Sequence, residues 1–130
     1  MALDIANYDP AVSAGAKIGY SRGGSSVTQI TNRATGVTIN ALSGTITTDS
    51  TSLAAEASAV FIVTNNTVAI GDVVVCSIRS GAVALNTDVI VSAVAAGSFS
   101  ITVVNGNAAA GTAETGAIII NFAVIKAVSA

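Results

Sequence analysis

The stretch "VTQITNRATGVTINALSGTIT" (residues 27–47) decides the fold class of this chain. Threonine, valine or isoleucine recurs at nearly every second or third position, and Arg33 is the one charged residue. β-Branched residues in such a pattern favour strands with one buried face. Because the stretch contains no histidine, aspartate, glutamate or cysteine, it indicates a segment that builds a sheet rather than one that carries out a reaction.

Similar strand patterns continue along the rest of the chain. Phe99, Ile101 and Val103 alternate with small polar residues, and Ala96-Gly97 before them predicts a short hairpin. Gly44 is predicted to mark a turn. The nearly continuous apolar run at 58–65 predicts a central strand. Eight strands are predicted, at residues 26–31, 35–41, 44–49, 58–65, 72–79, 87–95, 98–105 and 117–126. We therefore expect an all-β fold, with the strands in a single sandwich, jelly-roll-like or barrel domain.

Residues 1–24 and residues 50–59 depart from this strand pattern. Residues 50–59 begin with serine and contain Glu56, which allows one helical turn. Residues 1–24 have neither a two-residue nor a 3.6-residue period and end at Gly23-Gly24. We interpret residues 1–24 as an extended N-terminal arm and residues 25–130 as the β-domain. The alternative is that these first residues are only a frayed terminus.

Composition indicates self-association. The 130 residues are 52% hydrophobic and only 9% charged, whereas a typical domain has about 25% charged residues. Mean hydropathy is +0.74, yet no window has the roughly 20 continuous apolar residues that a membrane span needs. Asp4, Asp9 and Pro10 interrupt the N-terminus, so no signal peptide is predicted. We therefore expect no membrane partner, and we expect the apolar excess to be buried between subunits of a homo-oligomer.

Charge and residue types argue against several function classes. The net charge is −2, and the five Lys/Arg residues are scattered, so no nucleic-acid partner is predicted. The absence of histidine excludes Ser-His-Asp triads, Cys-His pairs and the common zinc sites. Residues 106–112 have the glycine spacing of a phosphate loop, but Thr112 stands where lysine is required. We predict no catalytic residue, no cofactor and no metal ligand, and we expect that the chain is not an enzyme.

The remaining reactive side chains have structural interpretations. Cys76 is the single cysteine and lies in an apolar strand segment, which predicts a small buried hydrophobe. Asp49, Asp72 and Asp88 lie beside predicted turns, where aspartate commonly accepts hydrogen bonds from the backbone.

Four segments together resemble a family of small proteins encoded by tailed bacteriophages, the capsid decoration or cement proteins. They are "SSVTQITNRATGVTINALSGTIT", "ASAVFIVTNNTVAIGDVVVCSIRSG", "VSAVAAGSFSITVVN" and "IINFAVIK". The shared pattern is VTQ…TGVT…GTIT near the start and FAVIK at the end, and the resemblance covers roughly residues 25–126. It implies a predominantly β protein that forms a homotrimer on the outer surface of the capsid. The N-terminal arm does not match the pattern.

The resemblance implies a virion structural protein, made in the host cytoplasm, that binds the major capsid protein and stabilises the shell. Tyrosine and arginine are frequent at interface hot spots. Candidate capsid-contact residues are therefore Tyr8, Lys17, Tyr20 and Arg22 in the arm, with Arg33 as the next candidate. The alternative is a trimeric head or tail fibre domain that binds host-surface glycans. Phe61, Phe99 and Phe122 occupy apolar strand positions, which disfavours an exposed aromatic glycan site.

Overall fold

The computed structural model describes residues 24–83 and 85–127, and these contain eight strands and no helix. Each predicted strand is present, although some are shorter than predicted. The strands are β1 (Gly24–Thr28), β2 (Val37–Thr38), β3 (Ser43–Thr47), β4 (Ser58–Thr64), β5 (Val73–Ser80), β6 (Thr87–Ala95), β7 (Ser98–Asn105) and β8 (Ile119–Ile125).

The strands form two four-stranded sheets packed face to face. The first sheet has the order β1-β3-β8-β5 and the second has the order β2-β4-β7-β6. In each sheet one edge pair is parallel (β1 with β3, β2 with β4) and the other neighbours are antiparallel. The chain alternates between the sheets from β1 to β5, forms the β6–β7 hairpin in the second sheet, and returns to the first as β8. The predicted all-β class is confirmed, and the architecture is a β-sandwich.

The core lies between the two inner faces. Alternation along β7 buries Phe99, Ile101 and Val103, as predicted, and β8 contributes Phe122 from the other sheet. The rings of Phe99 and Phe122 lie 5.3 Å apart between centroids, so these two residues pack the sheets together. Burying a side chain of this size stabilises the fold by about 1.5–3 kcal/mol. Phe61 is also buried, which accounts for all three phenylalanines.

Two local predictions are corrected by the structure. Gly44 does not mark a turn, because it lies inside β3. A Cβ there would come within 2.7 Å of the Ser25 carbonyl oxygen and 2.8 Å of Ile39 Cδ1, so the close approach of β1 requires glycine. The possible helical turn at 50–59 is absent. A hydrogen-bonded turn closes there instead, from the Ala57 N–H to the Ala54 carbonyl, with Glu56 at φ 62°.

The N-terminal arm lies almost entirely outside the described residues. β1 begins at Gly24, one residue before the predicted start of the β-domain. Within residues 24–83 and 85–127, no helix has the length and apolar character needed to cross a membrane.

Candidate interaction surfaces

Arg33 is buried in the loop between β1 and β2 and has a structural role. The residue is only 3% exposed. Its guanidinium donates hydrogen bonds to the Thr51 carbonyl, to Thr48 Oγ1 at 3.1 Å, and to the carbonyls of Glu114 and Gly116 at 3.3 and 2.7 Å. It therefore ties its own loop to the segment after β3 and to the segment before β8. Because the Arg33 side chain is buried, the prediction that it contacts the capsid is corrected.

Glu114 is a buried carboxylate close to Arg33 that sequence analysis did not single out. Its oxygens accept hydrogen bonds from the Val83 N–H and Thr87 Oγ1, both at 2.6 Å, and from the Gly116 N–H at 3.1 Å. Burial alone would raise the pKa of this carboxyl, but the three hydrogen bonds and the positive charge of Arg33 outweigh burial and lower it. Glu114 therefore stays ionised and holds the loop after β5 against the loop before β8.

Two polar residues of the VTQ…FAVIK pattern, Gln29 and Lys126, also form contacts that hold loops in place. Gln29 Nε2 donates to the carbonyls of Arg33 and Thr35 at 3.1 and 2.7 Å, and its Oε1 accepts from the Asp49 N–H at 3.0 Å. Lys126, the lysine of the FAVIK segment, forms an ion pair with Asp72. Gln29 and Lys126, which belong to the VTQ and FAVIK segments, therefore make contacts inside this domain.

Asp72 accepts hydrogen bonds at the start of β5, as predicted. Hydrogen bonds from Lys126 and from the N–H groups of Ala127 and Ala69 lower the pKa of Asp72 to about 2. Asp49 has the same kind of role, since hydrogen bonds from the Thr51 side chain and N–H lower its pKa. Asp88 accepts from the N–H of the following residue.

Cys76 lies on β5 and is half-buried against the core, close to the predicted environment. Burial raises the pKa of its thiol, which opposes formation of a thiolate. Among the described residues there is no group of three or more Cys, Asp and Glu side chains that could hold a metal ion.

The outer face of β4, β7 and β6, here called the β4–β7–β6 face, carries large apolar side chains. Val60, Ile62 and Ile90 are 50%, 55% and 49% exposed. The predicted central position of β4 is confirmed, because it lies between β2 and β7. However, its apolar run buries only one side, since Phe61 and Val63 point inward while Val60 and Ile62 point outward.

The outer face of the first sheet has an apolar end and a polar end. At one end Val73, Val75 and Ile125 are about half exposed, with Ile70 beside them in the loop before β5. At the other end Thr45 donates a hydrogen bond to Asn121 Oδ1 at 3.2 Å. A groove of about 730 Å³ lies over β1 and β3, lined by small, uncharged residues and Phe122. Gly24, the first described residue, is part of the lining of this groove.

The other predicted contact residues are not placed by the structure. Tyr8, Lys17, Tyr20 and Arg22 lie outside the described residues. The surfaces that are described are instead sheet faces with few charged residues. Their sequence signal was the apolar runs "SAVFIVT" and "VVVC", in which apolar residues fill both alternate positions of a strand.

Comparisons of this chain with protein-family models, with curated proteins and with solved structures gave no match.

Proposed function

We propose that this chain is a virion structural protein, a capsid decoration or cement protein that binds the outer surface of the major capsid shell as a homotrimer and stabilises it. The motif pattern from "VTQ" to "FAVIK" suggests this role. The single structural observation that supports it best is the exposure of Val60, Ile62 and Ile90 on one sheet face and of Val73 and Val75 on the other. Apolar side chains on the outer faces of both sheets suit a protein that is covered by neighbours in an assembly.

The buried polar network supports a mechanical role. Arg33 and Glu114 are used for contacts between loops, and each makes several hydrogen bonds inside the domain. Satisfied buried networks of this kind make a domain rigid. A rigid subunit docked at several points can stabilise a shell against the outward pressure of packed DNA, because several modest contacts add up when they are linked.

The proposal is tested by counting copies in purified particles. Quantitative mass spectrometry of virions would compare this chain with the major capsid protein. A decoration protein is expected in numbers comparable to those of the major capsid protein, whereas a head or tail fibre domain would be present at a small fraction of them. A small fraction, or absence from the particle, would contradict the proposal.

A further inference from the structure

We propose that the β4–β7–β6 face is the trimer contact, with β4 of one copy packed against β6 of the next and β7 lining the threefold axis. The occupant of this face is therefore a second copy of the same chain. This inference rests on the homotrimer of the proposed function, and it names the surface that would form it.

The strand register places residues of β4 and β6 in common rows across the sheet, because each row shares one residue of β7. One row across the sheet contains Val60, Thr102 and Ile90, in that order. At this level both outer strands present a half-exposed apolar side chain, and the strand between them presents a hydroxyl. If β4 of one copy meets β6 of the next at the same height, Val60 packs on Ile90, and Thr102 faces the axis.

The neighbouring row repeats this arrangement with complementary sizes. It contains Ile62 on β4, Ser100 on β7 and Ala93 on β6. The large side chain of Ile62 would meet the small side chain of Ala93. Serine and threonine on β7 are small enough for three copies to approach one another closely at the axis.

The row at the other end is polar on both outer strands. Ser58 on β4 and Asp88 on β6 flank Val104. A contact between copies would place the Asp88 carboxylate opposite a hydroxyl that can donate a hydrogen bond to it. Asp88 is the single ionisable side chain on the outward positions of these strands, so charge repulsion between copies is small.

The β4 side of the face is open to a neighbour. β2 pairs with Val63 and Thr64, and Gly36 lies beside the Ile62 carbonyl, so among the described residues no strand pairs with residues 58–61 on this side of β4. A contact that joins two different patches of the same chain is heterologous, and such contacts close into a ring when the rotation allows it. The pairing of β4 with β6 is of this kind, whereas a face-to-face contact about a twofold axis would give a dimer.

Disulfide trapping tests the arrangement. Val60→Cys and Ile90→Cys would be combined in a Cys76→Ser background. β7 separates the two positions, so they lie about 10 Å apart in one chain, beyond the roughly 4.4–6.8 Å between Cα atoms that a disulfide spans. Any bond between the new thiols must therefore join two chains. After mild oxidation we expect a covalent trimer on a non-reducing denaturing gel, and addition of reductant should return it to monomer.

A matched control uses the first sheet. Ser43→Cys with Val75→Cys places two thiols at the same separation, on either side of Ala123. This pair should give no covalent trimer. Val60→Cys alone should also stay monomeric on the gel, since the threefold arrangement keeps equivalent residues apart. Covalent dimers from the single variant would indicate a twofold contact and overturn the proposal.

A second variant does not depend on oxidation. Val60→Thr with Ile62→Thr keeps β-branched residues on the strand while removing apolar contact. We expect the protein concentration at which the trimer dissociates to rise about tenfold or more. Circular dichroism would check that the variant is folded.

The outcomes separate the two proposals. If light scattering shows that the unmodified protein is a trimer, but the Val60/Ile90 thiols do not cross-link or the threonine variant associates normally, this face is the wrong one while the homotrimer stands. If the unmodified protein is a monomer at micromolar concentration, the homotrimer of the proposed function fails, and the face assignment fails with it.

Discussion

At the residue scale, Arg33 stands out because a cation is buried in a chain with so few charges. Burial lowers its pKa, although the charges of Glu114 and Asp49 oppose this effect. The guanidinium remains protonated at neutral pH because the ordinary pKa of arginine is above about 12. Its hydrogen bonds to backbone and side-chain oxygens hold together loops that are more than 80 residues apart in sequence.

Arg33→Met should therefore destabilise the domain. Methionine fills a similar space but removes the guanidinium donor from the carbonyls of Thr51 and Gly116, and it leaves the charge of Glu114 without a nearby cation. We expect the free energy of unfolding to fall by about 2–4 kcal/mol, measured by urea denaturation at pH 7. Arg79→Met is the matched control, because Arg79 is exposed on β5, and it should change stability by no more than about 0.5 kcal/mol. Equal effects of the two substitutions would contradict the role given to Arg33.

At the element scale, the arm and β1 can be separated at Gly23. Because β1 begins at Gly24 and pairs along its whole length with β3, removal of residues 2–23 leaves every described strand intact. We expect the shortened protein to keep its circular dichroism spectrum and unfolding midpoint. We also expect it to bind poorly to capsids that lack the protein, since Tyr8, Tyr20 and Arg22 are of residue types that dominate interfaces. Binding would be measured by co-sedimentation with such capsids.

A Tyr8→Ala, Tyr20→Ala variant of the full-length chain is the control for arm length. It should bind as poorly as the shortened protein if these side chains make the contact. If the shortened protein decorates capsids as fully as the intact one, the first residues are only a frayed terminus and the capsid contact must lie on the β-domain.

At the scale of the whole molecule, stability should fall in acid and stay constant near neutral pH. Asp72, Asp49 and Glu114 all have lowered pKa values in the folded state, with Asp72 at about 2. Ordinary carboxyl pKa values near 4 apply in the unfolded chain. Below about pH 5 the unfolded state therefore binds protons that the folded state does not, and the free energy of unfolding falls as the pH drops toward 2. Above pH 5 the stabilisation is fully present, and because the chain has no histidine we expect a plateau from about pH 5.5 to 7.5.

Urea midpoints at a fixed protein concentration would measure this profile, since any self-association makes stability depend on concentration. Asp72→Asn should lose less stability than the unmodified protein between pH 5 and 2.5, because one of the protonation sites is removed. A fall in stability between pH 7 and 6 would show that a group other than these carboxylates controls the transition.

The sequence by itself determined the number of strands, their approximate positions and which residues of β7 face the core. Alternation along a strand is a local property with a period of two, so Phe99, Ile101 and Val103 could be assigned without knowledge of their partners. The tertiary structure alone decided how the strands pair, that Gly44 lies directly beside β1, and that Arg33 and Glu114 are buried together. The physical reason is that strand pairing and the burial of a charge depend on groups far away in the chain. A buried charge needs hydrogen-bond partners to replace the water it loses, and a local pattern of residues does not show which distant groups will be those partners.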